Sequence, residues 1–359
     1  MTQPGAVLAA SAQPLARRYD VALLDLDGVI YVGPTGVPGA AEALAGARSA
    51  GMRLAFVTNN ALRTPAAVAA HLTELGVPAD PAEVITSSQA ACRVLAERLP
   101  GARVLVVGGE GLRVAAAEAG LTVVDSADDE PAAVVQGYSP DVGWRQFAEA
   151  TVAINRGAYW LATNLDVTLP SARGPLPGNG SLVAAIRSAT GVEPPFAGKP
   201  DPAMHRESLL RSGAKNPIVV GDRLDTDVLG ATRVGCDSLL VLTGVTTASI
   251  LLAAPAGQRP TYLAAGLAGL LTAHPVPAAA GPAAWSCGGW TATRADGVLL
   301  AGAGGEDLDA LRALCAAAWS GAVAGPVSAA GSAAAGVLAR LGLDGSRPGI
   351  PTDAAIRRD

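Results

Sequence analysis

The chain has 359 residues, half of them hydrophobic and only 16% charged, so it carries enough apolar material for two or three cores. A formal net charge of -5 argues against nucleic acid as a partner, and no apolar run is long enough to span a bilayer. Cys92, Cys236, Cys287 and Cys315 show no metal or disulfide spacing, which suits free thiols in a reducing cytoplasm, the expected location. The first 16 residues lack the early positive charge of a signal peptide. Arg17-Arg18 is followed by Asp20, Asp25 and Asp27 rather than an uncharged core, which rules out a twin-arginine leader, so residues 1–17 are expected to form a flexible tail.

In chain order, Val21-Ala22-Leu23-Leu24 reads as a buried parallel strand running into Asp25-Leu26-Asp27-Gly28. Two carboxylates at i and i+2 on a strand end repel each other when buried, and a bound divalent cation would offset this. A Gly/Pro-rich loop over 33–39 precedes a helix over 40–50. Arg53-Leu54-Ala55-Phe56-Val57 is a second buried strand, ending in Thr58-Asn59-Asn60, side chains suited to an anion at the edge of a sheet or to capping the next helix, 65–75. With a third strand at 83–86, this alternation implies an open, doubly wound, Rossmann-like parallel sheet.

A new unit is expected from about Cys92. Strands at 103–107, 133–137 and 159–162 alternate with helices at 112–119 and 144–156. Gly108-Gly109-Glu110-Gly111 reads as a tight strand-to-helix connection rather than a nucleotide-binding turn. The loop Thr163-Asn164-Leu165-Asp166 and a Pro/Gly-rich stretch to Gly180 lead to a helix over 181–190. Lys199 then lies between Gly198 and Pro200, which favours extended backbone. After a helix over 201–211, Pro217-Ile218-Val219-Val220 is a strand ending in Gly221-Asp222-Arg223-Leu224-Asp225-Thr226-Asp227, a density of carboxylates that structure alone explains poorly. A strand at 237–242 and residues 258–271 complete the unit. Residues 275–282 read as a Pro/Ala linker. Beyond it come two strands around the Asp296-Gly297 hairpin signal, helices at 307–319 and 332–341, and a frayed end at 348–359. His71, His205 and His274 fall in none of these motifs and read as ordinary helix or surface residues.

Four strand ends in order carry DLDG, TNN, an isolated lysine and GDRLDTD. This order resembles the four motifs of the haloacid dehalogenase-like hydrolases. The local sequences DLDGVIY, FVTNN, GKP and GDRLDTD resemble the class IIA, NagD-like phosphatases, over residues 19–272. Too few residues separate Asp25 from Thr58 to hold a cap. The stretch from Thr58 to Lys199 far exceeds one or two βα units of roughly 30 residues, so the surplus reads as an α/β C2-type cap. The implied division is a flexible tail (1–17), a phosphatase core (18–91 and 188–274), the cap (92–187) and a small C-terminal α+β domain (283–359).

The resemblance implies a mechanism. Asp25 would be the nucleophile that forms an aspartyl-phosphate, and Asp27 the general acid and then base. Thr58, Asn59, Asn60 and Lys199 would hold phosphate oxygens. Mg²⁺ would bind the Asp25 carboxylate, the Asp27 carbonyl and Asp222, with Asp227 orienting the site.

The stretch 163–181 is similar to that of glycerol-3-phosphate and phosphoglycolate phosphatases of this class. Val167-Thr168 stands where the pyridoxal phosphatase branch carries a bulky aromatic and a histidine. The expected substrate is therefore a small phosphorylated metabolite, glycerol 3-phosphate first. The alternatives are a nucleoside monophosphate, phosphoglycolate or a sugar phosphate. A non-catalytic phosphometabolite sensor and a phosphotransferase stay open as other classes. The tail resembles the GNAT-like segment that follows actinobacterial phosphatases of this type. It lacks a matching acetyl-CoA loop, since Gly331-Ser332-Ala333-Ala334-Ala335-Gly336 is wrongly spaced, so a structural role or homo-oligomerisation is expected, with Trp285, Trp290 and Trp319 as anchors.

Overall fold

The structure, a computed structural model, describes residues 8–169, 173–321 and 325–345. Its centre is a parallel six-stranded sheet in the order Tyr262–Ala264, Asp237–Val241, Pro217–Gly221, Val21–Leu24, Arg53–Thr58, Val84–Thr86. The strands are buried on both faces, and successive side chains alternate between two apolar clusters, which makes this a three-layer unit. Ala22, Leu24, Leu54, Phe56, Ile218 and Val220 point to one face and join the cluster under helices Ala40–Ser49 and Pro65–Glu74. Val21, Leu23, Ala55, Val57 and Val219 point to the other, under helices Ser87–Arg98 and Pro202–Ser212. Each large apolar side chain removed from water here, such as the fully buried Phe56, contributes roughly 1.5–3 kcal/mol.

The strand order reverses at Val21–Leu24. The chain steps from it to Arg53–Thr58 on one side and later returns to Pro217–Gly221 on the other. Leu24 is in register with both Phe56 and Val220. The carboxyl ends of these three strands therefore open one crevice at the switch point, where open α/β sheets bind ligands. Asp25, Thr58 and Asp222 stand at its rim.

Between Val84–Thr86 and Pro217–Gly221 the chain builds a second parallel sheet, ordered Thr122–Val124, Arg103–Val107, Ala133–Gln136, Tyr159–Ala162. The boundaries expected near Cys92 and at 187 both fall inside helices. Helix Ser87–Arg98 runs unbroken through Cys92, and helix Asn179–Thr190 runs past 187. Leu112, Val135 and Leu161 share one apolar cluster with core residues Leu23 and Val57, so the two sheets are not separately packed. Gly108-Gly109-Glu110-Gly111 is the seat for the core loop 61–63. A Cβ at Gly109 would strike the Leu62 side chain, and one at Gly111 would lie 2.5 Å from the Arg63 carbonyl. The Gly111 N–H donates to the Leu62 carbonyl at 3.0 Å.

The C-terminal sheet has five strands in the order Ala278–Gly281, Ala284–Cys287, Trp290–Arg294, Val298–Gly302, Val327–Ala329, antiparallel except for the last pair. The expected linker 275–282 thus supplies an exposed edge strand. The unit shares an apolar cluster with the six-stranded core unit, in which Leu224, Leu251, Leu252 and Leu263 meet Trp290, Leu311, Leu314 and Trp319. Trp290 and Trp319 are buried and Trp285 is half-buried.

The flexible tail expected at 1–17 is not what residues 8–17 form. Leu8 is buried in that same cluster, Ser11 bridges to His274, and Leu15–Arg18 is a short helix with Leu15 buried. His205 and His274 are buried, not surface residues. Residues 1–7 and the end expected to fray, 348–359, lie outside the described residues. Among the described residues, no helix is long and apolar enough to cross a membrane.

Candidate active site

Asp25 continues its strand, donating its backbone N–H to the Val220 carbonyl at 2.8 Å. The Lys199 ammonium lies 2.6 Å from Asp25 Oδ1 and 2.8 Å from Asp227 Oδ1, and donates to the Val57 carbonyl at 3.3 Å. Lys199 and Asp227 are almost wholly buried. Burial disfavours the lysine's charge, but Asp227 and Asp25 outweigh that and raise its pKa above the usual lysine range.

Carboxylate oxygens of Asp25, Asp222 and Asp227 all lie within 4.8 Å of one another. Burial pushes the Asp25 carboxyl up to about 8; Lys199 opposes this, while Asp227 and Asp222 add to it. Burial and Asp227 push Asp222 up to about 6. Asp222 Oδ2 accepts the Val245 N–H at 2.6 Å, but its Oδ1 is buried with no partner among the described residues. One lysine does not neutralise three carboxylates. An orphaned buried oxygen facing two more carboxylates fits a hard divalent cation that prefers oxygen ligands.

Two glycines make room for Asp222. Gly28, at φ +81°, turns the chain out of the DLDG segment, and a Cβ there would lie 2.6 Å from Asp222 Oδ2; one at Gly244 would overlap the same atom. The side chain of Asp27, one residue before this turn, is exposed at the mouth and outside the carboxylate cluster, so only its backbone oxygen could join a metal there. Desolvation by the surrounding protein raises the Asp27 carboxyl, opposed by the positive charges of Lys199 and Arg63.

Thr58 is buried, and its Oγ accepts the Asn60 N–H at 3.0 Å. Asn60 is exposed and its Oδ1 accepts the N–H groups of Leu62 and Arg63, at 2.9 and 3.2 Å. Asn59, expected among the phosphate ligands, has its side chain engaged by the lysine loop and the inserted unit. Its Oδ1 accepts the Lys199 N–H at 2.8 Å, and its Nδ2 donates to the Lys199 carbonyl at 3.2 Å and to Asp166 Oδ2 at 3.1 Å. Its own carbonyl accepts from Ser87 and Asn164. An amide so engaged has no donor left for a phosphate; it joins the Thr58 loop, the lysine loop and the inserted unit.

The sequence reading missed the loop after strand Asp237–Val241. There Thr243 Oγ donates to the Gly28 carbonyl at 2.6 Å, and Val245 holds Asp222. The strand-end rule applied to the other strands would have pointed to this Thr-Gly pair. It also missed His205, which is fully buried, packs against Gly230 and has both ring nitrogens unpartnered among the described residues.

Residues 22–122 match the family model of the haloacid dehalogenase-like hydrolases, residues 196–270 a HAD-hydrolase-like model, and residues 287–343 a GCN5-related N-acetyltransferase like domain. A D-glycerol 3-phosphate phosphatase of Mycobacterium tuberculosis is 50% identical over 250 residues, covering 69% of this chain and 70% of that one. An acid sugar phosphatase of Staphylococcus haemolyticus is 38% identical over 248 residues, covering 68% and 93%. Among solved structures, a glycerol phosphate phosphatase from Mycobacterium tuberculosis in complex with magnesium superposes with a TM-score of 0.85 at 42% identity, over 92% of this chain and 99% of that one. A 4-nitrophenylphosphatase from Thermotoga maritima gives 0.66 at 30% identity, over 72% and 98%.

Proposed function

Because the chain belongs to the haloacid dehalogenase-like hydrolases, we propose that it is a magnesium-dependent phosphatase of small phosphate monoesters, with glycerol 3-phosphate as its substrate. The observation that carries this reading is the buried Lys199 bridging Asp25 and Asp227 beside the unpartnered oxygen of Asp222. A binding protein has no need for a nucleophile, its counter-charge and a cation site converging on one point.

Asp25 is the nucleophile: its carboxylate oxygen attacks phosphorus, and the ester oxygen leaves as an aspartyl-phosphate forms. Lys199 lowers the pKa of the Asp25 carboxyl against its burial and neutralises charge on the phosphoryl group, while Asp227 fixes the ammonium. Thr58 and Asn60 supply hydroxyl and amide donors to the phosphoryl oxygens. Asp27, at the mouth, protonates the departing alkoxide and then takes a proton from the water that hydrolyses the aspartyl-phosphate. The upward direction of its pKa shift favours general-acid work. Magnesium would be held by the Asp25 and Asp222 carboxylates and the Asp27 carbonyl, and when bound it supplies charge neutralisation between anionic nucleophile and phosphate.

The inserted four-stranded unit serves as the cap that chooses the substrate. The C-terminal unit serves as structure, without acetyl transfer. Asp307 and Asp309 stand in the first turn of helix Asp307–Trp319, just after Gly302-Ala303-Gly304-Gly305, where the diphosphate of a coenzyme would meet like charge. We place the protein in the cytoplasm on the composition of its chain. The test is phosphate release from glycerol 3-phosphate, phosphoglycolate, nucleoside monophosphates and sugar phosphates, with and without Mg²⁺. A purified protein that binds these compounds but releases no phosphate from any of them would overturn the assignment.

A further inference from the structure

We propose that Asp166, with Arg223, forms a subsite that recognises the vicinal hydroxyl groups of a short polyol phosphate; this rests on the phosphatase reading above. The seam between the inserted unit and the core holds a cavity of about 320 Å³ beside Lys199. From the inserted unit come Asp166 and Thr168, from the core Arg223, Asp225 and Thr226, and Phe196 supplies an apolar wall. A phosphoryl group facing Asp25 must direct its ester oxygen away from that nucleophile for in-line attack. The remainder of the substrate then needs room beyond that oxygen, and in this proposal it lies in this cavity, which Lys199 also lines. A glycerol chain occupies only a fraction of that volume.

The lining matches hydroxyl groups in particular. Asn59 fixes Asp166 through Oδ2 at 3.1 Å, while Oδ1 makes no hydrogen bond among the described residues. Asp225 holds Arg223 through Nε and Nη2, at 3.1 and 2.8 Å, which leaves Nη1 without a hydrogen bond among the described residues. The outcome is one anionic acceptor and one cationic donor, each locked by a neighbour. A diol, in which each hydroxyl both donates and accepts, satisfies both. An aryl or alkyl phosphate would desolvate the two charged groups without replacing their hydrogen bonds. The anchoring of Asp166 on Asn59 also ties this subsite to Lys199, since the same amide holds the lysine backbone.

The experiment compares kcat/KM for glycerol 3-phosphate with kcat/KM for p-nitrophenyl phosphate in the full-length parent, Asp166→Asn and Thr168→Val, with thermal melting as the check on folding. Asn at 166 keeps an acceptor for Asn59 and removes only the charge. The expected result is a fall of about tenfold or more in the ratio for Asp166→Asn, expressed mainly in KM for glycerol 3-phosphate, and a fall of a few-fold for Thr168→Val. Ratios unchanged within about twofold, or equal losses on both substrates, would overturn the subsite and leave Asp166 a structural tie. Should the parent itself cleave p-nitrophenyl phosphate yet show no preference for the polyol ester, it is the glycerol 3-phosphate reading that fails. Should Asp166→Asn melt early, Thr168→Val decides.

Discussion

Asn59 grips the backbone of Lys199 on both sides, accepting its N–H at 2.8 Å and donating to its carbonyl at 3.2 Å. The lysine ammonium in turn spans Asp25 and Asp227. A side chain read from sequence as a phosphate ligand thus holds the backbone of the lysine whose ammonium faces Asp25. Gly198 allows this grip, since a Cβ there would lie 2.7 Å from Asn59 Oδ1. Asn59→Ala should lower kcat by about 10–100-fold with a smaller change in KM, because the lysine shifts while Thr58 and Asn60 still bind phosphate. A KM that rises while kcat stays at the parental level would return Asn59 to direct substrate binding.

Asp25→Asn should abolish turnover and leave the fold intact, since it removes the attacking oxygen and a metal ligand together. Asp27→Asn should differ. With an activated ester such as p-nitrophenyl phosphate the aspartyl-phosphate still forms, but its hydrolysis slows, by about 10²–10⁴-fold for lost acid–base help. Mass spectrometry of quenched Asp27→Asn protein should find the phosphoryl adduct on Asp25. Activity of Asp25→Asn within about tenfold of the parent would remove it as nucleophile.

The carboxylate cluster makes opposite predictions with and without metal. In chelated protein, Asp222→Asn should be at least as stable as the parent, because it removes a buried charge facing two others. With Mg²⁺ at about 100 times its Kd, the parent should gain roughly 2.7 kcal/mol and the variant little or nothing. Melting curves in chelator and in excess Mg²⁺, beside phosphate release, check both signs. An equal Mg²⁺ response in the two proteins would place the metal elsewhere.

His205 gives a pH prediction with a definite sign. Burial, and to a lesser degree Lys199, lower its pKa to about 3, against an unfolded value near 6.5. Between those values the unfolded chain binds a proton that the folded chain does not. The contribution of neutral His205 is therefore complete above about pH 6.5 and is lost as pH falls, by up to about 1.4 kcal/mol per unit. Denaturant titrations from pH 7 to 4 should show a shallower decline for His205→Leu than for the parent. Parallel declines would mean that the ring is protonated in the folded protein.

The chemistry was legible in the sequence to the extent that it sits at strand ends. Asp25, Thr58, Lys199 and Asp222 each follow or face a buried apolar strand, and parallel strands bring their carboxyl ends to one edge whatever the intervening length. The residue type of Asn59 suits two roles, anion ligand and tie to a neighbouring loop, and its grip on the Lys199 backbone depends on a segment far along the chain that carries no local signal. Gly109 and Gly111 were correctly read as structural, but their reason, admission of loop 61–63, is a tertiary contact with no local signal. Residues 8–17 read as a tail because a short Ala-rich stretch with only two large apolar side chains shows no strand or helix periodicity and does not reveal the groove that buries Leu8 and Leu15.

The C-terminal unit meets the core through Trp319, and that contact allows a sharper test than deletion. The Trp319 indole N–H donates to the Leu251 carbonyl at 3.2 Å, its ring packs in the shared apolar cluster, and the Arg259 guanidinium lies 5.4 Å from the ring centre. Truncation after Ala273 would also remove His274, which brackets Ser11, and would uncover Leu251, Leu252 and Leu263 together, so loss of solubility would confuse the outcome. Trp319→Ala instead creates one cavity, at a cost of about 3–5 kcal/mol. None of the carboxylates, nor Lys199, touches the C-terminal unit in any hydrogen bond or ion pair among the described residues. Hence kcat for glycerol 3-phosphate, measured well below the melting temperature, should stay within about threefold of the parent while the melting temperature drops by several degrees. A well-folded Trp319→Ala protein whose kcat falls by a hundredfold would show that the C-terminal unit shapes the catalytic site and not the stability of the core alone.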